Sequence, residues 1–143
     1  MAYEFPSDGA EWITEYGQLL NENDDYQEVG GGWGVDFDGD FLFAVEPDDA
    51  YDGPEVYFFL GLEDGDCTEA YEVDDPDEEE YGFVFRGPYT SWKRLFTGDL
   101  GPIDGMMSGE FEIEGDMQKV LQYSEAAVEM TETGQQIDTE FEY

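Results

Sequence analysis

Thirty-nine Asp and Glu residues against four Lys and Arg give this chain of 143 residues a formal charge of −35. Like charges at that density oppose compaction in dilute buffer. Any fold must therefore combine a large apolar interior with an environment that screens the surface. Salt supplies the screening, since the Debye length falls to about 3 Å at about 1 M. The acids are spread almost evenly along the chain, including positions opposite the apolar residues of the expected strands. A mimic of nucleic acid would gather them on one face or in one tail. The even spread points to adaptation to a molar-salt cytoplasm, with acidic mimicry the weaker alternative. Intrinsic disorder is disfavoured for the body of the chain, because 40% of residues are apolar and 17% aromatic, enough for a packed core.

The length suits one domain, residues 1–143, with a polar C-terminal tail over roughly 131–143. One cysteine, Cys67, leaves no internal disulfide framework. The first residues have neither a basic n-region nor an apolar h-region, and the longest apolar run, Val56 to Leu62, is too short to span a bilayer. A soluble cytoplasmic protein is expected.

Asp8 and Glu11 have capping-box spacing, and Trp12, Ile13, Tyr16, Leu19 and Leu20 follow at helical intervals. Asn21 and Asn23 stop that helix; Asp24 to Val29 allows one more turn before Gly30-Gly31-Gly32. Phe41, Phe43 and Val45 then alternate with Leu42 and Ala44, and Val56, Phe58, Leu60 and Leu62 with Tyr57, Phe59 and Gly61. Cys67–Val73 and Tyr81–Arg86 complete four strands. Short Gly/Asp turns between them predict an antiparallel meander with the second strand central. Beyond Pro88 the period becomes helical: Trp92, Leu95 and Phe96 mark one short helix and Ile103, Met106 and Met107 another. Ser108–Glu114 reads as a strand. Asp116 then caps a helix carrying Met117, Val120, Leu121, Ser124 and Val128 on one face, with Gly134 as its C-cap. The final residues are expected to be loosely ordered. The order describes one α+β layer structure.

Catalytic chemistry has little to stand on. With no histidine there is no Ser-His or Cys-His dyad and no His-ligated zinc. The four serines lie in no G-x-S-x-G elbow, and Asp66 and Glu69 would raise the pKa of Cys67. Asp36, Asp38 and Asp40 supply positions 1, 3 and 5 of a calcium loop, yet Phe41 stands where the loop needs Gly and Pro47 where it needs Glu. The Gly30–Gly34 cluster does not fit G-x-G-x-x-G. Four basic residues cannot form a nucleic-acid footprint.

What remains is apolar. Trp92, Leu95, Phe96, Ile103, Met106 and Met107 sit on two short helices between strands and a C-terminal amphipathic helix. By pattern alone such stripes are core, although flexible Met also suits surfaces that repack around apolar ligands. The segment from Ser91 to Asp116 resembles the sterol carrier protein 2 sterol-transfer family. A helix ends in Gly98, a loop-helix carries Met106-Met107, Ser108-Gly109 leads a strand, and Gly115-Asp116 turns into the last helix. The N-terminal part is compatible through its amphipathic helix, Tyr26 and Trp33-Gly34, so the resemblance spans roughly 11–128. Family members often carry Lys where this chain has Glu110, Glu112 and Glu114.

The resemblance implies a twisted, mostly antiparallel five-stranded sheet with helices on one face and an apolar tunnel. It implies non-catalytic binding and transfer of a fatty acid, acyl-CoA, isoprenoid or sterol-like lipid, without a cofactor. Phe58, Phe83, Trp92, Phe96, Met106, Met107, Phe111 and Leu121 are the expected lining. Expected partners are that lipid and, transiently, a membrane, with no nucleic acid; a dimer is one option for the oligomeric state. The competing expectation is a closed, ligand-free interaction or dimerisation module. Dilution from about 3 M KCl to about 0.1 M should unfold the protein as screening is lost; circular dichroism through the dilution checks this, and a fold indifferent to salt would contradict it.

Overall fold

The computed structural model describes residues 2–143. Its elements follow as β1 (Tyr3–Phe5), α1 (Gly9–Glu22), α2 (Asp24–Val29), β2 (Phe41–Glu46), β3 (Val56–Glu63), β4 (Asp66–Val73) and β5 (Phe83–Pro88). Then come α3 (Tyr89–Thr97), α4 (Pro102–Ser108), β6 (Glu112–Glu114), α5 (Met117–Gln122), α6 (Ser124–Gln135) and β7 (Thr139–Phe141). This is the expected α+β architecture, with five strands in the order β4-β3-β2-β5-β6.

The first three of these strands form the predicted antiparallel meander. The next one departs from it: β5 crosses back and pairs parallel with β2, Phe41 opposite Phe83 and Phe43 opposite Phe85. A parallel partner needs a long crossover, here β3, β4 and the acidic loop that follows. The central strand is consequently β2, every residue of which from Phe41 to Val45 is buried.

Alternation sends Phe41, Phe43, Val45, Phe58, Leu60, Phe83 and Phe85 to the inner face, against the helices. Leu42, Phe59, Val73 and Val84 form a smaller cluster on the other face, flanked by Tyr57, Tyr71 and Tyr81. The Tyr71 hydroxyl donates to Glu79 at 2.7 Å, tying the acidic loop to that side. A bulge between Gly61 and Leu62 lets both Cys67 and Ala70 of β4 turn inward. There α1 comes so close that a Cβ on Gly17 would lie 2.8 Å from that of Ala70 and 3.2 Å from the Cys67 sulfur. Only glycine allows that approach.

Several local expectations change. The Asp8 carboxylate does not cap α1; it accepts from the Glu4 amide at 2.8 Å. Gly134 is no cap either, for α6 continues to Gln135 and a Cβ at 134 would meet Phe96 at 2.3 Å. Ser108 closes α4 instead of opening a strand, with Gly109 in the left-handed region at φ 84°. Asp116 is the N-cap read from sequence, accepting from the amides of Gln118 and Lys119 at 3.0 and 3.4 Å.

The C-terminus is ordered, contrary to the expected loose tail. Strand β7 pairs parallel with β1, and the Trp12 indole donates to Thr139 Oγ1 at 3.1 Å. The Glu142 carboxylate accepts from the Ser7 amide and hydroxyl, each at 2.7 Å. Phe141 packs edge-on to Phe5, and Tyr143 packs against Tyr51 and Tyr89. The partner strand lies at the other end of the chain, where no local period could reveal it. Ile137→Ala, removing a buried side chain from this closure, should cost about 3 kcal/mol by denaturant unfolding at high salt; a change within experimental error would restore the loose tail.

Candidate functional site

Two apolar cavities lie between the inner sheet face and the C-terminal helices. The first, about 60 Å³, is bounded by Phe41, Phe43 and Phe85 of the sheet, Tyr16 of α1, Trp92, Leu95 and Phe96 of α3, Pro102 and Met106 of α4, Val120 of α5, and Ala127, Met130 and Thr131 of α6. The second, about 40 Å³, is bounded by Tyr26, Trp33, Phe41, Leu62, Val120, Tyr123, Ala126, Ala127 and Met130. Phe41, Val120, Ala127 and Met130 line both, so the cavities adjoin. Each is smaller than the roughly 150 Å³ that an engineered core cavity needs for benzene. The expected tunnel is thus represented by two narrow spaces, and a long chain fits only if the wall formed by α5 and α6 moves outward.

The polar side chains that line the first cavity donate to main-chain carbonyls. The Trp92 indole donates to the carbonyls of Ala44 and Gly87 at 3.0 and 3.2 Å. Tyr16 donates to the Met130 carbonyl at 2.6 Å, and burial pushes its phenol far above the ordinary tyrosine range. Thr131 Oγ1 donates to the Ala127 carbonyl at 3.0 Å. Among the described residues, no buried side-chain polar atom lacks a partner. The first cavity therefore offers dispersion and burial, not a hydrogen bond; the second is also bordered by the side chains of Tyr26 and Tyr123.

Of the side chains expected to line the space, Trp92, Phe96 and Met106 do so. Phe58, Phe83 and Phe111 are buried but stand elsewhere in the core: Phe58 against Phe5 and Trp12, Phe83 against Trp33 and Phe41, Phe111 behind Phe85 and Trp92. Met107 is 74% exposed and Leu121 41%, and neither lines a cavity. For Met107 the reason is helical phase: Gly105 and Met106 take the inward side of α4, and the next residue turns away. For Leu121 it is the same: Val120 takes the inward side of α5 and the next residue turns away, while the break at Tyr123 divides the expected single helix into α5 and α6 and shifts the stripe beyond it. Val120 then faces inward with Ala126, Ala127 and Met130, while Leu121 and Val128 face solvent.

The lining residues that the sequence reading missed are chiefly Phe41, Phe43 and Phe85, with Tyr16 and Met130. Strand phase placed the three phenylalanines on the inner face; the β2–β5 neighbourhood, which sets them beneath α3 and α6, depends on the crossover.

Cys67 stands apart from this site. Burial pushes its thiol up to about 11, and the thiol donates to the Glu69 carbonyl at 3.4 Å, so it is an inert core residue. The Asp36–Asp40 segment is a turn in which the Asp38 carboxylate accepts from the Asp40 amide at 3.0 Å. Among the described residues, no group of three Cys, Asp or Glu side chains converges to hold a metal ion.

The fold has close counterparts in solved proteins. A crystal structure of sterol carrier protein 2 superposes with a TM-score of 0.79 at 28% identity, over 90% of this chain and 96% of that one. A solution structure of a conserved hypothetical protein from Thermus thermophilus gives 0.78 at 27% identity, over 91% and 88%. Sterol carrier protein domain 2 of Helicoverpa armigera shares the fold alone, with a TM-score of 0.54 at 16% identity, over 85% and 86%. No curated protein matches the chain. The family profile described as the SCP-2 sterol transfer family matches residues 41–128, the stretch that builds the five-stranded sheet and most of the cavity wall, and the chain belongs to that family.

Proposed function

We propose that this protein binds and carries a lipid, with its hydrocarbon part in the apolar space beneath α5 and α6 and no chemistry performed on it. The family is one of lipid binding and transfer. The observation that carries the reading for this chain is the lining, made of aromatic and aliphatic groups, with the polar side chains of the first cavity hydrogen-bonded to the main chain. Fatty acids, acyl-CoA, isoprenoids and sterol-like molecules are the ligand classes considered. Each methylene buried contributes roughly 0.8 kcal/mol, so a chain of ordinary length can offset displacement of a helix.

The wall suits such displacement. It is split at Tyr123, half-exposed along α5 and α6, and held by a few side-chain hydrogen bonds: Tyr16 to Met130, Gln135 to the Leu95 carbonyl at 3.0 Å, and Asn23 to Thr133 at 2.9 Å. We further propose a molar-salt cytoplasm as its setting. Three ion pairs, two on Arg86 and one on Arg94, are formed among the described residues. Salt is left to screen most of the 39 acids.

Two measurements test the reading. Organic extraction of the folded protein, purified in about 3 M KCl, should release a stoichiometric long-chain amphiphile identifiable by mass spectrometry; an empty extract would favour the closed interaction module. Ala127→Leu, which adds volume where the cavities adjoin, should lower ligand retention at least several-fold while costing about 1–3 kcal/mol of stability. Retention equal to that of the unmodified protein would place the ligand elsewhere.

A further inference from the structure

The charges around the cavity restrict which end group a ligand can carry. Helices α4 and α6, which contribute Met106, Ala127 and Met130 to its wall, also carry Asp104, Glu125, Glu129 and Glu132 and no basic residue. Glu129 already sits in a field hostile to negative charge: burial, then the neighbouring Glu132, push its carboxyl up. Lys93, Arg94 and Lys119 lie on α3 and α5, which also line the cavity, but each of the four cations is engaged with another group. Arg86 pairs with Glu55 and Glu114, and Arg94 with Glu110. Lys93 donates to the main-chain oxygen of Tyr143 at 2.9 Å, and Lys119 lies over the Phe37 ring, 4.4 Å from its centroid. Inside the first cavity, the donors of Tyr16, Trp92 and Thr131 are already committed to main-chain carbonyls.

Resting on the lipid-carrier reading, we propose that the site discriminates by charge: it takes chains that end in an uncharged group and refuses carboxylates and phosphates. A carboxylate at the opening meets several like charges without a countercharge. At separations near 4 Å each such pair opposes binding by about 1 kcal/mol even in water. Screening weakens this repulsion without supplying the missing donor.

The test is a pair of probes with the same tail, 1-decanol and decanoate, titrated against the tryptophan fluorescence of the protein at about pH 8, where decanoate is ionised. Trp92 and Trp33 line the two cavities and report on occupancy. Decanol should bind about tenfold more tightly than decanoate, and the gap should narrow as KCl rises from about 1 to about 3 M. The variant combining Glu125→Gln, Glu129→Gln and Glu132→Gln should raise the affinity for decanoate relative to decanol several-fold. A gap that this variant leaves unchanged, or equal binding of the two probes, would overturn the charge filter while leaving the lipid reading intact. Selective loss of decanoate binding in Lys119→Gln would overturn it too, by making Lys119 an anion anchor. If neither probe binds, the lipid reading fails and takes this proposal with it.

Discussion

Aromatic packing across the parallel pair β2–β5 is the contact on which the rest of this structure depends. Phe41 stacks on Phe83 with centroids 5.2 Å apart, and Trp92 lies 5.2 and 5.4 Å from Phe43 and Phe85. Such pairs contribute about 0.5–1.5 kcal/mol each beyond the area they bury. The indole of Trp92 also bridges the two strands by donating to a carbonyl of each. This one side chain therefore joins the crossover, the first helix after it and the cavity floor. A protein whose surface charge works against compaction needs its cohesion concentrated in that way.

The same economy of polar contacts shapes the site. Because Tyr16, Trp92 and Thr131 have their hydrogen bonds met by backbone carbonyls, the first cavity is chemically featureless. Featureless apolar lining gives affinity that scales with buried area and little discrimination among tails. Discrimination is left to the rim, where acidic side chains outnumber basic ones. The fold supplies capacity, and the composition supplies selectivity.

Much of the fold could be read from local pattern. The helix over Trp12–Leu20, the turn Asp24–Val29, strands β2 and β3, the N-cap at Asp116 and the Met-bearing loop-helix all follow from periodicity and capping within a few residues. At the site, Trp92, Phe96 and Met106 were legible because a stripe at i, i+3, i+4 must bury one side. Met107 and Leu121 were misplaced because adjacent helical residues point about a third of a turn apart, so a small phase error exchanges inside for outside. Phe58 and Phe111 were correctly expected to be buried, but burial does not say which part of a continuous core remains unfilled.

The sequence by itself determined the α+β class, the family and the acidic, apolar-cored character, since these depend on composition, short-range period and motif order. Tertiary structure alone decided the parallel placement of β5 beside β2, the closure of β7 on β1 and the position and size of the cavities. Each of those joins segments far apart in the chain, and pairing energies between distant segments leave no local periodic trace. The cavity is a still subtler quantity. It is the small residue left when many large side chains fill a shared space, and it exists only where their shapes fail to match.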